Sequence, residues 1–93
     1  MVCEVRLPDL GPDADEGSVI SWSKQQGDPI AAGEVLCEIE AGKATMSVTA
    51  PGAGILRVIL AEEGDLMPSG ALLAIIAGQD DDISSYLPTP GGG

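Results

Sequence analysis

The 93-residue chain contains no histidine, two cysteines and only four basic residues against fifteen acidic ones. Without histidine, and with Cys3 and Cys37 far apart in the chain, the sequence offers neither a metal-ligand spacing nor a redox pair of cysteines. We interpret both thiols as small buried side chains in a reducing compartment, and a disulfide between them is the alternative.

The shortage of basic residues and of long apolar runs excludes several partners. The formal net charge is −11 at pH 7, and no run of Lys or Arg could neutralise phosphates, so we expect neither nucleic acid nor an anionic membrane as a partner. The longest strongly apolar run, residues 71–77, is too short to span a bilayer, and MVCEVRLPDL lacks the regions of a signal peptide. We therefore expect a soluble, cytoplasmic protein. A chain this short buries only a modest core, which disfavours an enzyme with a deep cleft.

A pattern of glycine residues occurs twice in the chain, at a constant offset of 37 residues. The apolar positions keep the same offset, as expected of an internal duplication. If the halves are related by a two-fold axis, Arg6 is equivalent to Lys43 and Lys43 to Asp80. Lys43 would then lie at the opposite pole from the place where the chain enters and leaves. The first copy contains Gly17, Gly27-Asp28 and Gly33, and the second contains Gly54, Gly64-Asp65 and Gly70.

Short alternating apolar segments, separated by Gly, Pro or Asp, are typical of an all-β sandwich or barrel. Residues 34–41 and 45–49 both alternate, which predicts a hairpin with Gly42 and Lys43 at its tip. The predicted strands are residues 2–7, 17–24, 34–41, 45–49, 54–61 and 71–77. The residues predicted to be buried are Val35, Ile39, Met46, Val48, Leu56, Leu72 and Ile76.

Two segments outside these strands have the composition of surface chain. Residues 8–17, PDLGPDADEG, predict a long acidic loop, since prolines and clustered carboxylates suit neither a core nor a sheet ladder. The C-terminal sequence lacks a sustained apolar period and ends in Pro and Gly, which is typical of a linker. We therefore predict a folded domain over residues 1–79 and a flexible, truncated linker over residues 80–93.

Lys43 stands between the two repeats and is the first candidate for a functional residue. A catalytic amine needs a lowered pKa from burial or a neighbouring cation, and a hairpin tip near Glu38 and Glu40 supplies neither. A phosphate-binding loop would need Gly where Cys37 stands and Ser or Thr where Ala44 stands. Lys43 is therefore either a residue that other proteins modify or an ordinary solvated lysine.

The run EAGKA between the glycine-marked halves, with Gly27 sixteen residues before the lysine and Gly54 eleven after it, resembles the lipoyl domain of 2-oxo acid dehydrogenase type complexes. The resemblance covers residues 1 to about 79. It implies a flattened β-barrel of two four-stranded antiparallel sheets with internal quasi-two-fold symmetry. The stretches EGSVISW (16–22) and GALLAIIA (70–77), followed by DDDISSYL, are similar to acyltransferase components of acetoin-type complexes.

The same resemblance implies the site. Lys43 would be the lipoyl acceptor, and Glu40, Ala41, Gly42 and Ala44 would form the context that the modifying enzyme recognises. The chain departs from the family at Gly42, where Asp is usual. Biotinyl carriers usually flank their lysine with methionines, so the neighbours found here favour lipoate over biotin.

By this resemblance the domain would itself catalyse nothing and would carry covalently attached lipoate as a swinging arm. A lipoate ligase or lipoyl transferase would modify it. Its further partners would be a thiamin-dependent dehydrogenase, the acyltransferase core and a dihydrolipoamide dehydrogenase, and the isolated domain would be a monomer. The alternatives are the biotin carrier domain of a carboxylase, an unmodified adaptor of the same fold and, less favoured in so short a chain, a glycine-cleavage carrier.

Overall fold

Eight strands build the protein, whose computed structural model describes residues 2–8 and 15–86. Within this part of the chain the helical structure is one 3-10 turn, Ser84–Tyr86, and no helix is long and apolar enough to cross a membrane. The strands are β1 (Cys3–Arg6), β2 (Glu16–Trp22), β3 (Pro29–Ile30), β4 (Val35–Ala41), β5 (Ala44–Thr49), β6 (Gly54–Ile59), β7 (Leu66–Pro68) and β8 (Leu72–Ala77).

The strands form two four-stranded antiparallel sheets. The first sheet has the order β1-β8-β6-β3 and the second sheet has the order β5-β4-β2-β7. The predicted all-β fold of two four-stranded sheets is confirmed. Of the predicted acidic loop, residues 9–14 lie outside the described residues.

The predicted two-fold relation between the halves is visible in the backbone hydrogen bonds. The N–H of Gly27 donates to the carbonyl of Leu56 over 2.8 Å, and the N–H of Gly64 donates to the carbonyl of Val19 over 2.7 Å. Each of these residues differs from its equivalent by 37 positions. Both glycines have φ near +90°, 97° and 91°, a region that favours glycine. The Gly-Asp turns therefore hold each half against the other.

The equivalence predicted between Arg6 and Lys43 is wrong. Arg6 in β1 lies opposite Leu72 in β8, as Thr49 in β5 lies opposite Val35 in β4. The offset that relates β1 to β5 is therefore 43 residues and not 37. The reason is that Gly17 follows Arg6 by 11 positions, whereas their equivalents Gly54 and Thr49 are only 5 positions apart, so the first connection is longer by six residues. The offset of 37 still relates β4 to β8, and so relates Lys43 to Asp80.

A continuous antiparallel ribbon runs between the pole that carries the β4–β5 hairpin tip and the pole where the chain leaves β8. Residues 16–30 run antiparallel to residues 54–68 through both sheets. At one end of the ribbon Ser18 pairs with Glu40, beside the tip of the β4–β5 hairpin. At the other end Ile55 pairs with Ala77, the last residue of β8. The hairpin tip and the exit of the chain after β8 are therefore at opposite poles, as predicted.

Most of the predicted core is confirmed. Ile39, Leu56 and Ile76 are fully buried, and Val48 is 5% exposed. Val35 is 38% exposed, contrary to prediction. A β-bulge between Val35 and Cys37 shifts the alternation of β4 by one residue, so that the neighbour of Val35 turns inward in its place. That neighbour is Leu36, which is fully buried, whereas Met46 and Leu72 are half-buried.

The chain after β8 folds back on the first sheet. We call residues 78–86 the terminal strap. Arg57 donates hydrogen bonds from Nη1 to the carbonyl oxygens of Gly78, over 2.5 Å, and Asp81, over 3.0 Å. Ile83 is only 7% exposed and lies in a small apolar cluster on the outer face of the sheet. The segment predicted as a linker is therefore packed over residues 80–86, and residues 87–93 lie outside the described residues. The predicted boundary at residue 79 stays a prediction. The other members of the cluster are Val2, Val58, Leu72, Ile75, Ala77 and Tyr86.

Candidate functional site

Two residues close the hairpin between β4 and β5. Ala41 and Ala44 form its last cross-strand pair, and Gly42 and Lys43 make the turn. Gly42 has a φ of 60°, whereas Lys43 has no positive φ, because no described residue other than glycine does. This pattern is that of a type II′ turn, which matches the twist of the flanking strands and favours glycine at its first central position. The sequence therefore fixes a tight tip that projects the Lys43 side chain.

Lys43 and the other lysine of the chain are in different surroundings. Lys43 is exposed, and none of the described side chains forms an ion pair or hydrogen bond with it. Lys24 Nζ lies 2.7 Å from Glu34 Oε2. The hydrogen bond that Lys24 donates to the Glu34 carboxylate raises the pKa of Lys24, and the charge of Glu34 adds to the effect. Lys43 is thus the lysine whose amine is free to react.

The predicted recognition residues do not all reach the surface. Glu40, Gly42 and Ala44 are exposed, but Ala41 is only 6% exposed and faces the core. Ala41 therefore anchors the end of β4 instead of presenting a side chain. A Cβ atom at Gly42 would meet no atom within 4 Å, so a larger residue would meet no steric obstacle and would be opposed only by the positive φ.

A polar pair that the sequence analysis missed lies behind the tip. Ser47 Oγ donates to the Glu38 carboxylate, with distances of 3.1 and 3.0 Å to its two oxygens. Glu38 and Ser47 are opposite each other in the β4–β5 register, and Glu40 and Thr45 form the next outward-facing pair towards the tip. Alternation in the two strands predicts these pairs once the turn is placed, so the signal was present in the sequence. The outer surface below Lys43 is acidic and carries hydroxyl groups.

The chemistry open to this site is that of an acceptor. A primary amine attacks an activated carboxyl group only as the free base, and the described residues place no general base or oxyanion donor against Lys43. The described residues also contain no group of three side chains able to hold a metal ion. The hairpin can present an amine, and an enzyme that binds the hairpin has to supply the catalysis.

The comparison with protein families decides the identity of the fold. A family model described as "Biotin-requiring enzyme", the biotinyl/lipoyl family, matches residues 3–76. The chain belongs to this family. The match covers seven strands completely, all but the last residue of β8, and the lysine hairpin of this biotinyl/lipoyl domain.

Relatives of the domain come from both branches of the family. It is 43% identical over 83 residues to the dihydrolipoyllysine-residue acetyltransferase component of the mitochondrial pyruvate dehydrogenase complex of Caenorhabditis elegans, which covers 88% of this chain and 16% of that protein. The lipoyl domain of the 2-oxoglutarate dehydrogenase complex from Azotobacter vinelandii superposes with a TM-score of 0.66 and 30% identity. That match covers 81% of this chain and 96% of that domain. Urea carboxylase of Kluyveromyces lactis superposes with a TM-score of 0.70 and 27% identity over 83% of this chain and 6% of that enzyme. The chain thus spans about a sixth of the acetyltransferase relative and nearly all of an isolated lipoyl domain.

Proposed function

We propose that the chain is a carrier domain whose Lys43 is lipoylated, and that it shuttles acyl groups and reducing equivalents between the active sites of a 2-oxo acid or acetoin dehydrogenase complex. The observation that carries the proposal is the exposed, unpartnered amine at a two-residue turn, at the pole opposite the exit of the chain. The sequence identity to an acetyltransferase component supports lipoate as the group attached.

In the attachment reaction, Lys43 Nζ attacks the carbonyl carbon of an activated lipoyl donor. An amide bond forms, the activating group leaves and the amine loses one proton. Because the described residues place no base beside Nζ, a lipoate ligase or lipoyl transferase supplies it. Lipoate attached to Lys43 would supply a disulfide able to take up an acyl group and two electrons. The domain positions that arm and catalyses no step itself.

The parent polypeptide in this proposal is a dihydrolipoamide acyltransferase. Lys43 would hold the lipoyl group, and the partners of the domain would be a thiamin-dependent dehydrogenase, the acyltransferase core and a dihydrolipoamide dehydrogenase. Tethering keeps the arm at a high local concentration near each active site. Two free cysteines, one of them buried, support a reducing compartment such as the cytoplasm.

A biotin carrier domain of a carboxylase is the second candidate, because urea carboxylase gives a TM-score of 0.70. The neighbours of Lys43 favour lipoate, since Gly42 and Ala44 stand where biotinyl carriers usually have methionines. The identity to the carboxylase, 27%, is also lower than the 43% found for the acetyltransferase component.

Intact mass after expression tests the proposal. We expect the chain to gain the mass of one lipoyl amide when lipoate is supplied, and no biotinyl mass when biotin is supplied. Lys43→Arg keeps the charge but removes the nucleophilic amine, so the lipoyl mass should vanish while the circular dichroism spectrum is unchanged. Lys24→Arg is the matched control and should be lipoylated like the wild type. Lipoylation of the Lys43→Arg variant, or biotin on the wild type, would contradict the proposal.

A further inference from the structure

The two sheets turn outer faces of opposite chemistry to the solvent. On β8 the outward residues Ile75 and Ala77 are apolar and are covered by the terminal strap. Their two-fold equivalents on β4 are Glu38 and Glu40, and no described segment covers them. We call the uncovered outer side of the second sheet the open face. A duplicated fold has thus sealed one of its two equivalent faces and left the other exposed.

The open face carries large apolar side chains that are not part of the hydrophobic core. Among the described residues, three large hydrophobic side chains are exposed: Ile20 at 45%, Val35 at 38% and Leu66 at 60%. All three belong to strands of the second sheet. Ile20 is the two-fold equivalent of Arg57, which holds the strap on the other face. Two of the three, Ile20 and Leu66, lie on β2 and β7 toward the pole that carries Lys43.

A cross-strand row links this apolar pair to the lysine hairpin. Leu66 lies opposite Ser18, Ser18 lies opposite Glu40, and Glu40 lies opposite Thr45. The row crosses all four strands immediately below the turn that carries Lys43. Leu66 is two strands from Glu40, which is about 10 Å at the usual spacing. One surface therefore joins an exposed leucine, a line of hydroxyl and carboxylate groups and the acceptor lysine.

We propose that this row, with Ile20 and Glu38 beside it, is the docking surface for the enzyme that attaches lipoate to Lys43, an inference that rests on the proposed function. The short length of the Lys43 side chain is the reason for proposing the lipoylating enzyme as the partner. Nζ is only about 6 Å from the backbone through bonds of roughly 1.5 Å, so an enzyme that acts on it must cover the strands beside the turn. A partner that acts at the end of a longer attached group can sit farther from these strands.

The side chains of the row indicate which groups a complementary partner surface must contain. Glu38 and Glu40 call for basic side chains, and this complementarity fits the net charge of −11. Leu66 calls for an apolar pocket at the edge of the basic patch, because an exposed anchor contributes to binding when it is fully desolvated. Ser18 and Thr45 lie between these groups and can exchange hydrogen bonds with polar groups of the partner.

Rates of lipoylation by a lipoate–protein ligase with lipoate and ATP test the surface, measured by intact mass on unmodified domain at subsaturating concentration. We expect Leu66→Ser to lower the rate about tenfold, which is the loss of a moderate anchor. Val35→Ser is the matched control, since it removes an exposed apolar side chain from the same sheet at the end of β4 far from the tip. It should react like the wild type. Both variants should keep the wild-type unfolding midpoint, because both side chains are exposed.

Three outcomes overturn the inference, and they are distinguishable. Equal rates for the Leu66→Ser and Val35→Ser variants overturn the docking surface alone, provided that the wild type is lipoylated. A Leu66→Ser variant that is lipoylated normally, but is then acylated slowly by a thiamin-dependent dehydrogenase, would assign the surface to that enzyme instead. A wild-type chain that the ligase does not modify overturns the proposed function and this inference together.

Discussion

Ile83 gives the sharpest test of the terminal strap. Replacing it with Ala removes three carbon atoms from a side chain that is 7% exposed. At about 0.8 kcal/mol for each buried carbon, the lost transfer free energy is about 2 kcal/mol. The cavity adds little, because a segment beyond the last strand can settle or detach more easily than a strand of the core. We expect the free energy of unfolding to fall by about 2 kcal/mol.

Urea unfolding followed by the fluorescence of Trp22 measures this change. Trp22 is the single tryptophan, and its Nε1 donates to the carbonyl of Ala61 over 2.7 Å, so its environment reports on the contact between the halves. With a urea slope between about 1 and 3 kcal/mol per molar, the midpoint should fall by about 1–2 M. Ile20→Ala is the control, since it removes the same side chain from a position where it is 45% exposed. The free energy of unfolding of this variant should stay within about 0.5 kcal/mol of the wild type.

Truncation after residue 79 extends the test to the whole strap. It removes Ile83 and Tyr86 together with the carbonyl of Asp81 that Arg57 holds, so it should destabilise the domain at least as much as Ile83→Ala. If both changes leave the unfolding midpoint where the control leaves it, the strap does not stabilise the domain and the reasoning is refuted.

Three further predictions concern single groups. Gly42→Asp should change the lipoylation rate only modestly, since no atom lies within 4 Å of a Cβ there and Asp is among the residues that best tolerate a positive φ; a large gain in rate by intact mass would show that the carboxylate is recognised directly. Cys37 should resist thiol reagents at pH 8 until the chain unfolds, because burial raises its pKa to about 11, whereas Cys3 is half-buried and should react first in a timed labelling experiment. The backbone N–H of Ala31 and then Lys24 lower the pKa of Glu34, and the hydrogen bond to Glu34 raises the pKa of Lys24, so these contacts should stabilise the fold between about pH 4.5 and 10.5. The stability difference between wild type and Glu34→Gln should shrink as pH falls below that window or rises above it, and a difference that persists at pH 3 would contradict the pairing.

Six strands could be predicted from alternation, but two could not. β3 is two residues long and β7 is three, and both lie in turn-like sequence with proline. Such segments show no period to detect, and they become strands because the long antiparallel ribbon brings them against β6 and β2. The four-stranded sheets were therefore expected from the family resemblance and not from the residues.

The bulge in β4 and the strap show where periodicity misleads. Strict alternation buries Val35, but one extra residue in the ladder buries Leu36 instead, and nothing local in the sequence marks the insertion. The strap contributes Ile83 to an apolar face, and an isolated isoleucine among Asp and Ser looks like a linker. Its burial depends on the chain folding back onto the outer face of β8 and β6, and no period in the strap sequence predicts that fold-back.

The proposal of Lys43 as the acceptor came from the sequence, because the hairpin, its tip and the repeat all pointed to this one residue. The row from Leu66 to Thr45 did not, since it depends on the pairing of β2 with β7. Strand pairing between segments nearly fifty residues apart is a tertiary property. Local sequence patterns predict the individual strands but not which strands pair.

The two-fold relation also implies that the same fold could form from a chain with its strands in a different sequence order. Ala41 and Thr45 are bridged by three residues at the hairpin pole, and their equivalents at the other pole are Gly78 and Val2. A three-residue bridge could therefore join the second pair and give a circularly permuted chain, opened between β5 and β6, with the strand pairing kept. A bridge that contained Gly-Lys would place an acceptor at each pole. The fold has two equivalent positions where a tight turn could present a lysine, and this chain carries a lysine at one of them.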